Sequence, residues 1–231
     1  MSSAAGAPVK ASGWRESRWL ALAEMALVVS LVIADANRLV PFSKTPFYLA
    51  LGWASLRVRR VGWRGVGFAL PEGWPRAVVL GAAAGIFFEI LSSFVVEPGL
   101  ARLFGKTADL SDFRPLVGNA RLLLVVLAAN WTLAAFGEEL VYRGYLMNRV
   151  AGFAGGTTRA WVASLVAVSA LFGWGHVDQG LTGQVQAAFD GLVLGLLYLG
   201  RRRNLLVPIV SHGVSNSLAF VLIYFGHYPG L

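Results

Sequence analysis

The sequence predicts an all-α, polytopic membrane helix bundle of about seven transmembrane helices, and two observations carry that prediction. Of the 231 residues, 56% are hydrophobic and only 14% charged, with a mean hydropathy of +0.62. That balance lies well outside the range of a soluble domain. The apolar residues gather into stretches at about 18–38, 46–57, 76–96, 121–147, 159–176, 184–200 and 204–226, most of them near the roughly 20 residues a spanning helix needs. The second stretch is short for a span. The alternating segments of a membrane β-barrel are absent.

Taken in order, residues 1–17 are rich in Ala, Ser and Gly and read as a flexible cytoplasmic tail. Residues 18–231 read as a single transmembrane domain. Ala34-Asp35-Ala36 follows an apolar run in the manner of a signal-peptide cleavage site, but a multi-spanning chain needs no cleavage, and a retained first helix is preferred. Residues 57–75 mix Arg57, Arg59, Arg60 and Arg64 with Trp63, Phe68 and Trp74; a segment at the lipid headgroups and a solvated loop fit equally well. Pro98, Gly99, Pro115 and Gly118 mark 97–120 as the longest external loop. Gly152, Gly155 and Gly156 suggest a hinge-like internal loop, and Arg201 to Asn204 a tight one.

The absence of cysteine excludes disulfides and a thiol nucleophile. The net charge of +8 raises the question of nucleic acid, but the basic residues lie between apolar spans and form no arm or groove-reading helix. Nucleic acid is therefore not an expected partner; the lipid bilayer is. With a cytoplasmic N-terminus, thirteen basic residues fall in inside segments against six outside, which fits a multi-pass protein of the cell's inner membrane oriented N-inside.

Three polar signatures interrupt the apolar spans: Glu138-Glu139 with Arg143, Phe172 with His176, and His212 with Asn216. An ionisable group in hydrocarbon costs roughly 2.5–3.5 kcal/mol on insertion scales, so such groups mark a functional site by default. On an α-helix Glu139 and Arg143 share a face and form an ion pair, while Glu138 points about 100° away and is left to activate a water. A buried pair that merely locks two helices is the competing interpretation. His176 falls on the same helical face as Phe172, and His212 on that of Asn216. A neutral imidazole and an amide suit a developing oxyanion, and an interhelical hydrogen bond is the simpler use of the same groups. One site shared by three helices is the more economical account. Under this topology Glu138 and His212 lie two or three turns from the cytoplasmic ends of their helices, in a cleft open to the cytoplasm. His176 lies about 25 Å into its own helix, so that span must dip, tilt or begin late.

Glu138-Glu139-x-x-x-Arg143, Phe172-x-x-x-His176 and His212-x-x-x-Asn216, in this order on successive apolar segments within about 121–220, resemble the CPBP family, the CAAX-protease and bacteriocin-processing (Abi) intramembrane endopeptidases. The resemblance implies peptide-bond hydrolysis in or beside the membrane. It implies that Glu138 activates water together with His176, that Glu139 and Arg143 hold the site together, and that His212 and Asn216 stabilise the tetrahedral intermediate. One Glu and two His are also compatible with a divalent metal such as zinc, although HExxH is absent, so a metalloprotease stays an open question. The expected partner is a membrane-anchored protein or peptide, cut near its anchored or C-terminal end. Three Lys against seventeen Arg hint at a GC-rich bacterial genome, which favours protein maturation or sorting over processing of a prenylated tail. The competing classes are a small proton-coupled transporter and a non-catalytic assembly or immunity partner; no inverted repeat supports the first. Glu24 and Glu89 are expected to face the bundle interior, Asp35 the interface, and Asp190 to bond across helices.

Overall fold

The computed structural model describes residues 13–41, 43–228 and 231, and contains no strand among them. Seven rods carry the chain: α1 (Arg18–Ala36), α2 (Thr45–Arg59), α3 (Trp74–Phe104), α4 (Ala120–Phe153), α5 (Thr158–Trp174), α6 (Gly180–Gly200) and α7 (Leu206–Tyr224). By length and composition α1, α3, α4 and α7 qualify to cross a membrane. The pair α5 and α6, whose axes differ by 63° across a short break, makes a fifth if counted as one. The chain is a multi-pass membrane protein. Helix α2 has 15 residues and falls short of a span.

Local chemistry sets the helix starts. Ser17, Asn119 and Thr157 each accept a backbone N–H of the first turn, from Trp19, Leu122 and Ala160 respectively. Each of these caps meets orphan donors that hydrocarbon could not satisfy.

Two long helices depart from simple α geometry. In α3 a π segment, Ser92–Val96, precedes Pro98. Proline lacks an N–H and its ring crowds the preceding turn, and the widened turn lets the helix run on to Phe104. Residues 97–104, expected in an external loop, are therefore helical, and the loop shrinks to 105–119. Within α4, Asn130–Leu146 is π-helical, and Glu139 to Met147 are buried without interruption. That segment is surrounded: it packs on α2, α5 and α7. Gly152, expected in a hinge-like loop, lies inside the same helix.

Helix pairs approach through glycine. A Cβ on Gly85 of α3 would stand 2.5 Å from the Ser211 carbonyl of α7, and one on Gly81 2.8 Å from Val210. Small residues let helix backbones meet closely where no hydrophobic driving force operates. Helices α5 and α6 fold back on each other, with Ser169 facing Gly191 and Leu165 facing Gly195. Because α5 crosses α6 obliquely, its length does not measure depth, and this accommodates the mismatch that the sequence raised for His176.

At the N-terminal side Arg15 donates to the Val58 carbonyl at 3.1 Å, and Arg59 donates to the Arg15 carbonyl. Residues 13–17 are thus docked on α2 and are not a free tail; residues 1–12 of the expected tail lie outside the described residues. Glu24 faces inward, where it accepts from Ser55 at 2.6 Å and from Arg59 at 2.9 Å.

Gly85→Val drives a side chain into the α7 backbone and is expected to cost about 1–3 kcal/mol. Thermal unfolding of the detergent-solubilised protein should show it, with Gly99→Ala, where nothing lies within 4 Å, unchanged within error.

Candidate active site

Glu139 is fully buried, 0% exposed. Its Oε1 accepts from Arg143 Nη1 at 2.7 Å and from His212 Nδ1 at 2.8 Å. Arg143, 1% exposed, also donates to the Gly191 carbonyl at 3.2 Å and lies 4.7 Å over the Phe172 ring. One carboxylate thereby ties α4 to α7, and its guanidinium partner ties α4 to α5 and α6. Removing either member leaves an uncompensated buried charge.

Glu138 is half-buried and lies on the other side of this lock. It lines a cavity of about 280 Å³ together with Phe172, His176, His212 and Asn216. Of the six residues singled out in the sequence, Glu138, His176, His212 and Asn216 meet in this cavity, while Glu139 and Arg143 sit behind its wall. The i to i+4 ion pair survives the π geometry of the segment.

His176 is not on a helical face with Phe172. Helix α5 ends at Trp174, and His176 occupies the break, where two glycines, Gly173 and Gly175, flank the last helical residue and let the chain turn. The two side chains still touch, with ring centroids 4.8 Å apart. His176 Nδ1 is 2.8 Å from the Phe172 carbonyl oxygen. A carbonyl only accepts, so Nδ1 carries the proton and Nε2 of the neutral ring has a free lone pair. His212 Nδ1 likewise meets an oxygen acceptor, here the Glu139 carboxylate. Phe172 packs on both rings, with centroids 6.3 Å apart for His212, and on Tyr142 at 4.9 Å.

The break is pinned from outside. Lys44 Nζ donates to the Gly175 carbonyl and to Asp35 Oδ2, both at 2.6 Å. The loop after α3 covers the cavity: Ala108, Leu110 and Phe113 line it, and Asp109 N donates to the Gln179 carbonyl at 3.0 Å. Asn130 fixes the far side of α7, donating to the Gly213 carbonyl at 2.9 Å and to Ser217 at 3.1 Å. Gly213 is required there, because a Cβ would meet the Trp131 ring at 2.5 Å.

Sequence reasoning missed part of the site. Glu97, placed there in a loop, lines the cavity, as do Gln179, Gln186 and Tyr228. Asp190 does not bond across helices: it lines the same cavity and its Oδ1 has no partner. Glu89 faces inward as expected, accepting from Ser93 and Ser215. For a metal, no group of three or more His, Asp or Glu side chains among the described residues is arranged to hold an ion. The committed Nδ1 atoms would still leave Nε2 for a metal, but Glu138, His176 and His212 are not grouped as a three-ligand zinc centre.

Arg143→Met and Glu139→Gln are each expected to destabilise the fold, the first by about 3–5 kcal/mol because it strands a buried carboxylate. Glu138→Gln, with no ion-pair partner to lose, should leave the unfolding temperature within a degree or two. Parallel melts of the three purified variants check this.

Residues 120–218 match the family model described as type II CAAX prenyl endopeptidase Rce1-like. No curated protein and no solved structure matches the chain. The matched segment runs from the start of α4 into α7, so it contains Glu138, Glu139, Arg143, Phe172, His176, His212 and Asn216. Over that segment the chain is similar to the CPBP/CAAX-protease family of intramembrane endopeptidases.

Proposed function

We propose that this chain hydrolyses a peptide bond near the membrane-anchored or C-terminal end of a protein substrate, using a water activated by Glu138. The observation that carries the reading is the division of the two adjacent glutamates. Glu139 is committed through Oε1 to a guanidinium and an imidazole, whereas Glu138 faces the cavity beside His176, His212 and Asn216. Hydrolysis at membrane depth requires a polar, water-admitting cavity, and these side chains supply one.

In the proposed reaction, water attacks the scissile carbonyl as its proton passes to Glu138, with the free Nε2 of His176 sharing the general-base task. The carbonyl oxygen becomes an oxyanion stabilised by His212 and the Asn216 amide. Collapse breaks the C–N bond as the proton held by Glu138 moves to the leaving nitrogen, giving a free carboxyl and a free amine. Glu139 and Arg143 act only by fixing His212 and the α4 backbone. The substrate is a membrane protein undergoing maturation or sorting in a bacterial inner membrane, with the N-terminus of the protease in the cytoplasm.

Mass spectrometry of the native membrane proteome tests the reading. Glu138→Ala should accumulate uncut precursors, and Asn216→Ala should lower kcat about 10²–10³-fold, the loss typical of one oxyanion donor. An unchanged proteome with stable expression of Glu138→Ala, or substrate-dependent proton flux without cleavage in liposomes, would sink it.

A further inference from the structure

The cavity has a second wall that the proposed hydrolysis does not use. Besides the catalytic groups it is lined by Glu89 and Glu97 of α3 and by Asp190 of α6, and no Lys or Arg lines it among the described residues. Glu89 is satisfied by two hydroxyls, from Ser93 at 2.9 Å and Ser215 at 2.8 Å. Glu97 is not: it is 4% exposed and its Oε1 has no hydrogen-bond donor. Asp190 Oδ1 is likewise without a donor. Other buried polar atoms also lack a partner, Glu139 Oε2 among them, but of the unpaired carboxylate oxygens among the described residues only Glu97 Oε1 and Asp190 Oδ1 belong to residues that line the cavity. What they lack is a donor, and a cationic donor makes the strongest hydrogen bond to a carboxylate.

A bare metal ion is a poor match, since no three carboxylates or imidazoles converge among the described residues. A long organic cation suits the space better. Its stem would lie along Phe113 and Phe220, which line the same cavity with ring centroids 5.4 Å apart. A guanidinium presents five donors in a planar fork and can serve oxygens on two helices at once, whereas an ammonium is a compact point donor.

We infer that Glu89, Glu97 and Asp190 form a subsite for an arginine side chain of the substrate, within a few residues of the bond that Glu138 attacks. This rests on the proposed protease reading for its position in the reaction, though not for the existence of the site. A cationic subsite beside the catalytic groups would confine cleavage to anchored segments flanked by a basic residue. Apolar helices lacking one, the bulk of what the bilayer offers, would bind without being held in register.

The test uses the purified full chain in proteoliposomes and a peptide library randomised over the residues flanking a hydrophobic helical anchor, with products read by mass spectrometry. Arginine should be enriched at one position near the cut, and replacing it by citrulline, its neutral isostere, should slow cleavage roughly tenfold or more. In the Glu97→Gln, Asp190→Asn double variant that ratio should fall below twofold. Cleavage with no arginine preference, or with a preference the double variant retains, overturns the subsite. If nothing is cut, the decision passes to the unfolding temperature of the Glu138→Ala chain with arginine amide or citrulline amide. A rise specific to arginine amide and lost in the added double variant upholds the subsite while the protease reading fails; an equal response to both amides overturns the subsite.

Discussion

A fully buried carboxylate governs this structure. Burying the charge of Glu139 away from water is affordable only with a cation and hydrogen bonds close by, and Arg143 at 2.7 Å and His212 at 2.8 Å meet that demand. Arg143 carries the requirement outward, because a buried guanidinium needs acceptors too. It finds the Gly191 carbonyl on α6 and the face of Phe172 on α5. Four helices are thereby held in one register by a chain of obligations that starts at one side chain. Hydrocarbon on the outside gives them little reason to associate, so such polar contacts and close glycine approaches matter more than apolar area.

The same arrangement explains why two adjacent glutamates can differ so completely. Neighbours on a helix diverge in direction, so when Glu139 turns to the lock Glu138 turns to the cavity. Phe172 stands between them in function. Its ring touches Arg143 on one side and both histidines on the other, and its backbone carbonyl fixes the His176 tautomer. In both histidines Nδ1 is held by an oxygen acceptor, which leaves Nε2 as the ring nitrogen not so committed.

Much of this could be seen in the sequence. Polar residues spaced by four inside apolar runs are conspicuous because the background is so uniform, and the Glu139–Arg143 pairing follows from spacing alone. The all-α class follows from run length. What could not be seen depended on long-range packing. The π geometry of α4 arises where Glu139 to Met147 are enclosed on every side, a condition set by α2, α5 and α7. Pro98 and Gly99 look like loop punctuation, yet the π segment before them absorbs the missing hydrogen bond, which hid Glu97 from any reading by composition. The break at His176 was invisible for the converse reason: LFGWGH is apolar enough to continue a helix, and only the Lys44 contact to the Gly175 carbonyl shows where the chain turns away.

The cavity therefore combines two kinds of polar investment with different logic. Groups of the lock find their counter-charge within the protein, although Glu139 Oε2 keeps no donor, and would hold the helices together with no substrate present. Groups of the cavity are satisfied incompletely: Glu97 and Asp190 each keep an oxygen without a donor. In a bilayer such incompleteness is tolerated only where something else supplies the missing interaction. An extended peptide is a fitting supplier, since unwinding a substrate helix exposes backbone N–H and C=O groups that must find partners before any carbonyl can be attacked. On the proposed reading, the loop over the cavity and the buried wall of α3 serve the reaction as much as Glu138 does. They make a polar enclosure in which an unwound segment costs less than it would in lipid, and a segment that cannot complete the enclosure has no reason to stay.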